Sequence, residues 1–118
     1  MASDQRSELP RGDRGASLTI AVVADPGGVA LEVAGALDYS TADRLSTAVL
    51  HEFGAGAGVV TVDLGGVGFC DSSGVAALVR AHKAAVRQGR RFVVRRADTT
   101  LDRVFALTGL DAVLTIEA

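Results

Sequence analysis

Two hydrophobic periods alternate along this chain of 118 residues. Residues 18–24 and 29–33 are rich in β-branched side chains, and Asp25-Pro26-Gly27-Gly28 between them has the composition of a tight turn. We predict that the two runs form an antiparallel β-hairpin. Further apolar runs predict three more strands, at residues 59–64, which a glycine-rich turn follows at residues 65–68, and at residues 92–94 and 113–116.

Apolar residues at helical spacing follow the hairpin and predict a first helix. This helix begins near Ser40-Thr41-Ala42-Asp43, which has the spacing of an N-cap with an acid three residues later. It ends at the glycines within residues 54–58. Its predicted buried face consists of Ala42, Leu45, Val49 and Phe53.

Two more helices are predicted farther along the chain. The second begins at Asp71-Ser72-Ser73-Gly74 and ends at Gly89. Its predicted buried face consists of Val75, Leu78, Val79, His82 and Val86. The third is capped by Asp98 or Thr99 and ends at Gly109, a position that needs a positive φ. The predicted apolar face of this third helix consists of Leu101, Val104, Phe105 and Thr108.

The order β-β-α-β-α-β-α-β predicts an α/β fold, because helices that connect successive strands make those strands parallel. We expect one domain at residues 17–118. It contains a mixed, mostly parallel β-sheet with an N-terminal antiparallel hairpin, and three main helices. Residues 1–16 are polar and charged, and such a composition cannot bury enough apolar surface to offset chain entropy. We therefore expect a disordered N-terminal tail.

Charge and composition disfavour several classes of function. A formal net charge of -2 gives no general attraction to nucleic acid or to a membrane surface. The chain has no apolar run of about 18 residues and no export signal, so we expect a cytoplasmic protein. Its single cysteine, Cys70, excludes an internal disulfide, and we expect a small core residue whose thiol pKa is raised by Asp71. No paired Cys or His spacing indicates a metal, and we expect no cofactor.

Two patterns resemble phosphate sites but have simpler explanations. The glycines at residues 65–68 follow a strand, yet Asp71 stands where the dinucleotide fingerprint needs glycine, and no Lys-Ser/Thr pair of a P-loop follows. We therefore predict a plain turn there. The arginines that bracket residues 92–94 are interpreted as solubilising strand ends rather than phosphate ligands; they are Arg90, Arg91, Arg95 and Arg96.

The start of the second helix carries the most specific candidate chemistry. The first N–H groups of a helix lack internal partners and lie at the positive end of its dipole, so Ser72 and Ser73 stand where a phosphate is favoured. Ordinary helix capping by Asp71 explains the same residues. Intrinsic catalysis is disfavoured, because His51 and His82 lie on helix flanks and no nucleophile elbow surrounds Ser72.

Three stretches of the chain form an ordered set: GALDYSTA at residues 35–42, VDLGGVGFCDSSGV at residues 62–75 and LTGLD at residues 107–111. Together they resemble the signature motifs of stand-alone STAS domains, the bacterial anti-sigma factor antagonists, over about residues 18–116. Three motifs in the family's order are more specific than any one of them. The chain departs from the family pattern at Ala36, where an acid is common, and at Cys70, where a larger apolar residue is common.

The resemblance implies a partner-switching protein that is not itself an enzyme. Its unphosphorylated form is expected to bind an anti-sigma factor that is also a serine kinase, and so to free a sigma factor. Phosphorylation of Ser72, with Ser73 as the second choice, ends that complex, and a PP2C-type phosphatase restores it. The resemblance also implies a partner-binding surface that comprises Asp38, Asp71, Ser72, Ser73, Gly74 and Val75. The alternative is a non-switching STAS binding module, such as a lipid-transporter subunit or a nucleotide-responsive regulator.

Overall fold

A computed structural model describes residues 17–97 and 99–117 of the chain. The expected N-terminal tail, residues 1–16, lies outside the described residues. So does Asp98, one of the two caps predicted for the third helix. The elements below are therefore those of the domain predicted at residues 17–118, apart from Asp98 and Ala118.

The described residues form five β-strands and three α-helices in the predicted order. The strands are β1 (Leu18–Asp25), β2 (Gly28–Leu37), β3 (Val59–Cys70), β4 (Arg91–Arg95) and β5 (Thr115–Glu117). The helices are α1 (Ala42–Gly54), α2 (Ser72–Gln88) and α3 (Thr99–Thr108), and a short 3₁₀ helix (Leu110–Ala112) follows α3. The sheet order is β1-β2-β3-β4-β5, with β1 antiparallel to β2 and every other pair parallel. The predicted α/β fold is confirmed.

A two-residue turn closes the predicted hairpin between Asp25 and Gly28. Gly27 has φ = 77°, which only glycine adopts without strain. Gly28 lies against the neighbouring strand, and a Cβ there would be 1.8 Å from the carbonyl oxygen of Val59. Both glycines are therefore required by geometry, one by its backbone angle and the other by the close approach of β3.

The hydrophobic core lies between the sheet and the helices and is mostly aliphatic. All four residues predicted for the buried face of α1 are buried, and Phe53 is 1% exposed. Central sheet positions contribute the largest aliphatic group, which includes Leu31, Val33, Val60, Val62, Leu64 and Val94. Leu101 and Phe105 of α3 are also buried, as predicted, whereas Thr108 is exposed and donates its hydroxyl hydrogen to the Val104 carbonyl at 2.8 Å.

Of the predicted buried face of α2, only Leu78 is confirmed, and the rest of that face is wrong by a rotation around the helix axis. Val86 is 64% exposed, and Val75, Val79 and His82 are only half-buried. The side that packs inward consists of Gly74, Ala77, Leu78, Ala81, Ala84 and Ala85. Small side chains let this helix approach its neighbours closely, and a pattern that weights only large apolar residues misses them.

The predicted glycine turn after residue 64 is also wrong, because β3 continues through it to Cys70. Strand β2 likewise extends beyond residue 33, to Leu37. Beyond the Glu32–Asp63 pair, five residues of β2 lie opposite seven residues of β3. The two extra residues of β3 are β-bulges. Strand β4 pairs with β3 only as far as Asp63, and the rest of β3 pairs with β2 alone.

Three of the four arginines around β4 bind the chain itself, which corrects the prediction that all of them are only solubilising ends; they are Arg90, Arg95 and Arg96. Arg90 donates from Nη1 to the carbonyls of Phe53 at 2.6 Å and Ala57 at 2.7 Å, and so holds the segment that follows α1. Arg95 forms an ion pair with Asp25 at 3.3 Å. These side chains join the end of α1 and the hairpin turn to β4.

The last strand also differs from its prediction. Residues 113–116 were expected to form it, but β5 begins at Thr115, after the 3₁₀ helix. Gly109 has φ = 77°, as its predicted position required. Leu114 is buried just before the strand, whereas Val113 is half-exposed. Because the connection between the 3₁₀ helix and β5 contains the apolar residue Leu114, the sequence pattern of this segment resembled that of a longer strand.

Asp63 is a buried carboxylate at the last position where β3 pairs with β4. It accepts hydrogen bonds from the Gly65 N–H at 2.8 Å and from Arg96 Nε at 2.9 Å. Burial raises the pKa of Asp63, but the Gly65 bond and the charge and hydrogen bonds of Arg96 outweigh it, so the pKa lies below its usual value. Asp63 is therefore ionised at neutral pH, and it holds Arg96, whose φ is 60°, at the end of β4.

We expect Asp63→Asn to lower the free energy of unfolding by about 1–3 kcal/mol at neutral pH, because a charge-assisted pair with a solvent-exposed arginine is lost. The pKa of Asp63 is lower in the folded state than in the unfolded state, where it is about 3.9. The contribution of the carboxylate is therefore complete above that pH and disappears as the pH falls through the folded value.

Urea unfolding of wild type and Asp63→Asn, at neutral pH and at the lowest pH where wild type remains folded, measures this difference. Asp43→Asn is the matched control, because Asp43 forms a 3.3 Å ion pair with Arg80 in which its side chain is 96% exposed. That control should be nearly as stable as wild type. A deficit in Asp63→Asn that stays the same in acid would contradict the assignment.

Candidate functional site

Asp71 caps α2 at the point where β3 ends. Its backbone is extended, with φ = -102° and ψ = -171°, and its carboxylate accepts from the N–H groups of Ser73 at 2.8 Å and Gly74 at 3.2 Å. Its carbonyl accepts the first helical bond, from Val75 N–H at 3.1 Å. The capping role predicted for Asp71 is confirmed.

Two serines occupy the first turn after this cap. Ser72 is the first residue of α2 and is exposed, whereas Ser73 is half-buried. Within residues 17–97 and 99–117, neither hydroxyl forms a hydrogen bond with another residue of the chain. The Ser72 hydroxyl is therefore both accessible from solvent and unoccupied.

Side-chain hydrogen bonds within the loop between β2 and α1, rather than the predicted N-cap of the helix, fix the conformation of this segment. Thr41 is 2% exposed, and its hydroxyl donates to the Ala36 carbonyl at 2.7 Å and accepts from the Asp38 N–H at 2.9 Å. The side chain of Thr41, the N-cap residue, makes no capping bond to the N–H groups of α1. Asp38 instead accepts from the Ser40 N–H at 2.9 Å and the Ser40 hydroxyl at 2.7 Å. The prediction of an N-cap in this segment placed the hydrogen bonds on the wrong partners.

These hydrogen bonds also determine the charge of Asp38. The bond from the Ser40 hydroxyl lowers the pKa of Asp38, and it outweighs the opposing effect of desolvation. Asp38 is therefore an anion at neutral pH, held in one orientation by its own loop. The loop presents a fixed negative charge rather than a freely moving side chain.

The loop and the start of α2 are joined by the backbone. The Asp71 N–H donates to the carbonyl of Leu37 at 3.1 Å, at the end of β2. Gly74 packs against the same carbonyl, and a Cβ on Gly74 would lie 2.7 Å from that oxygen and 2.7 Å from Cys70 Sγ. Since Asp38 follows Leu37 and Ser72 follows Asp71, the structure brings the predicted residues Asp38, Ser72, Ser73 and Gly74 to one end of the sheet.

Cys70 is half-buried beneath this junction. Burial, followed by the charge of Asp71, raises the pKa of its thiol to about 11. The direction of the predicted effect of Asp71 is confirmed, although burial is the larger cause. The thiol is protonated at neutral pH and is a poor nucleophile.

Two exposed aromatic residues near this junction were not predicted to be functional. Tyr39 is 87% exposed in the loop beside Asp38, and Phe69 is 56% exposed on β3, where it pairs with Ala36. Exposed aromatic side chains frequently form the energetic centre of protein interfaces. The sequence did contain a signal for Tyr39, because it is the only tyrosine of the chain. For Phe69 there was none, because the hydrophobic periodicity did not assign this residue to either face of the sheet.

The part of the chain that the structure describes contains no group of three His, Cys, Asp or Glu residues that could hold a metal ion. Among the same residues, no helix is both long and apolar enough to cross a membrane.

We expect Gly74→Ala to lower the free energy of unfolding by about 1–3 kcal/mol, because the Leu37 carbonyl cannot move away from a new Cβ without disturbing the sheet. Gly54→Ala is the matched control: Gly54 ends α1, and a Cβ there meets nothing within 4 Å. That control should be neutral or slightly stabilising. Urea unfolding compares the two, and equal stability would show that the junction is not closely packed in solution.

Comparison with known proteins identifies the family of this chain. A family model described as "Mlab, STAS domain" matches residues 20–116. Among curated proteins no match is found. The crystal structure of an anti-sigma factor antagonist from Mycobacterium paratuberculosis is similar, with 25% identity, coverage of 88% of each chain and a TM-score of 0.79.

Two solved structures of SpoIIAA are also similar to this chain, each at 19% identity. The anti-sigma factor antagonist SpoIIAA in its unphosphorylated form matches 85% of this chain and 88% of its own, with a TM-score of 0.71. The Bacillus cell fate determinant SpoIIAA in the phosphorylated form matches 85% and 91%, with a TM-score of 0.66. These two likenesses concern the fold, whereas the family model covers most of the sequence. The chain belongs to the STAS domain family.

Proposed function

We propose that this protein is an anti-sigma factor antagonist that is switched off by phosphorylation of Ser72. Its unphosphorylated form binds an anti-sigma factor serine kinase in the cytoplasm and so frees a sigma factor. The observation that carries the proposal is the exposed, unoccupied Ser72 hydroxyl beside the rigid Asp38 loop. Support also comes from the similar solved structures, which include an anti-sigma factor antagonist in both unphosphorylated and phosphorylated forms.

Exposure favours Ser72 over Ser73 as the phosphoacceptor. A kinase must bring the γ-phosphate of ATP into line with the attacking hydroxyl. Ser72 is exposed at the first position of α2, whereas Ser73 is half-buried in the next position. The Ser72 hydroxyl is therefore the more accessible of the two for in-line attack on the γ-phosphate.

The surface that binds the kinase is proposed to comprise the Asp38 loop and the first turn of α2. Asp38, Asp71, Ser72, Ser73 and Val75 line this surface, Gly74 is buried beneath it and supports the first turn of α2, and Tyr39 and Phe69 supply exposed apolar area. The loop is already fixed by the Thr41 and Ser40 hydrogen bonds. Binding therefore orders few new groups, which reduces its entropic cost.

Phosphorylation would act on this surface by charge and size. It adds about -1.5 to -2 charges next to Asp71 and close to the anionic Asp38 loop. A partner surface that fits a neutral hydroxyl would then meet bulk and like-charge repulsion. Losing about 3–4 kcal/mol of binding free energy weakens affinity by two to three decades, which is enough to change the preferred partner. Ser72 is thus a substrate rather than a catalyst, and a PP2C-type phosphatase would restore the binding form.

A non-switching STAS module is the second candidate function. The family model is described as a Mlab STAS domain, and this description does not itself name a sigma-factor pathway. Such a module would use the same fold to bind a lipid-transporter complex or a nucleotide without phosphorylation of Ser72. The two functions differ in whether the serine is modified.

Incubation with ATP and a candidate anti-sigma factor kinase from the same cell should add the mass of one phosphate to the protein. We expect Ser72→Ala to abolish this mass increase and Ser73→Ala to retain it, because Ser72 is exposed whereas Ser73 is half-buried. Intact-protein mass spectrometry makes the measurement. Modification of Ser73 would overturn the site assignment, and no modification by any such kinase, together with direct ligand binding, would favour the second candidate.

Binding of the same kinase should respond to charge at position 72. Ser72→Asp is expected to fold normally and to bind about 100-fold to 1000-fold more weakly, whereas Ser72→Ala should bind as wild type does. Isothermal titration calorimetry measures the affinities, and Ser73→Ala is the control at the neighbouring position. Wild-type affinity in Ser72→Asp would contradict an electrostatic switch, and weak binding by Ser72→Ala would show that the hydroxyl itself contributes to the interface.

A further inference from the structure

Almost every N–H group at the start of α2 already has an acceptor. The first four N–H groups of a helix have no partner inside the helix, and here they belong to Asp71, Ser72, Ser73 and Gly74. Asp71 donates to the Leu37 carbonyl at 3.1 Å. Ser73 and Gly74 both donate to Asp71 Oδ1, at 2.8 Å and 3.2 Å. Of these four groups, only the Ser72 N–H has no acceptor among the residues that the structure describes.

This arrangement changes what a phosphate on Ser72 would meet. A free helix N-terminus attracts a phosphate through its N–H groups and its dipole. At this helix, a carboxylate already occupies two of those donors and adds a negative charge next to the phosphate. The helix N-terminus therefore attracts the phosphate only weakly.

We propose that Asp71 is a positioning residue that keeps a phosphate on Ser72 away from the helix N-terminus, so that the phosphate projects into solvent. The inference rests on the proposed function, because it takes Ser72 as the phosphoacceptor. It makes the carboxylate of Asp71 and the phosphate competitors for the same two N–H groups. The carboxylate keeps both N–H groups because its displacement by the phosphate would exchange hydrogen bonds without adding any.

The backbone around Asp71 favours this outcome. Its N–H and its carbonyl are both engaged, with Leu37 and Val75 respectively, so the residue cannot swing away as a unit. Gly74 is held against the Leu37 carbonyl by close packing. If the phosphate displaced the carboxylate, the Asp71 carboxylate would lose its two hydrogen bonds but would still lie next to Ser72. Like-charge repulsion would then persist, and two charge-assisted hydrogen bonds would have been exchanged rather than gained.

A projecting phosphate is also the form that a switch requires. A phosphate bound by helix N–H groups would be partly neutralised and partly hidden from the partner. A phosphate directed into solvent presents its whole charge to the kinase surface and remains accessible to a phosphatase. Asp71 would therefore support the switch by preventing the phosphate on Ser72 from binding to the helix N–H groups.

The test uses protein with phosphoserine incorporated at position 72 during synthesis, so that no kinase is needed. It compares wild type with two variants of Asp71. Asp71→Asn removes the charge but keeps a side-chain oxygen that accepts from Ser73 and Gly74. Asp71→Gly removes the acceptor and frees both N–H groups, and glycine is tolerated at an N-cap. The pair separates occupation of the donors from simple loss of charge.

Two nuclear magnetic resonance measurements report where the phosphate lies. Phosphorus spectra recorded against pH give the second pKa of the phosphate, and amide spectra show whether the Ser73 and Gly74 N–H groups shift as it ionises. In wild type we expect a phosphate pKa at or above the ordinary value of about 6 and unresponsive amides. In Asp71→Gly we expect a lower pKa and amides that shift with the phosphate, and in Asp71→Asn the amides should remain unresponsive.

The other charged groups near this junction are the same in all three proteins. They are Asp38 in the loop and the Asp43–Arg80 ion pair between α1 and α2, and the neutral Cys70 thiol on β3 is unchanged as well. Phosphate-linked shifts of the Ser73 and Gly74 amides in wild type would overturn the proposal, as would identical behaviour of all three proteins. Because the phosphoserine is built in, either result would leave the choice of Ser72 by a kinase to the separate mass-spectrometric test.

Discussion

The hydrogen bond from the Asp71 N–H to the Leu37 carbonyl is the contact on which the functional end of the molecule depends. It joins the end of β2, from which the Asp38 loop departs, to the first residue before α2. Gly74 lets the helix lie on the same carbonyl, and the buried Thr41 hydroxyl fixes the loop to the strand. Two segments that are more than thirty residues apart in sequence therefore form one preorganised surface.

The surface combines rigidity with exposed chemistry. Several of its polar groups are bonded within the chain: the Asp38 carboxylate accepts from Ser40, and Asp71 accepts from the Ser73 and Gly74 N–H groups. Among the described residues, the Ser72 N–H and both serine hydroxyls have no such bond, and the aromatic side chains of Tyr39 and Phe69 are exposed. The proposed phosphorylation of Ser72 would change the charge of this surface without changing the fold, because the Ser72 hydroxyl bonds to none of the other residues that the structure describes.

Local patterns in the sequence predicted the order of elements, the buried face of α1 and the Asp71 cap, because each depends on residues only a few positions apart. The errors arose where distant segments meet. The glycines at residues 65–68 form a strand because β2 pairs with them, and the inward side of α2 is defined by alanines that touch other elements. At the site, the Thr41 bonds to Ala36 and Asp38 could not be predicted, because they require the end of β2 to be in place.

The extension of β3 beyond Asp63 has a consequence for how such a protein can diversify. From that point the strand is paired with β2 alone, while the core below is closed by β4 and the Asp63–Arg96 pair. Two side chains of the extension, Leu64 and Val67, are buried in the core, whereas Phe69 is 56% exposed. If the extension contacts the proposed partner, its exposed positions are free to change with that partner while its buried positions continue to stabilise the fold.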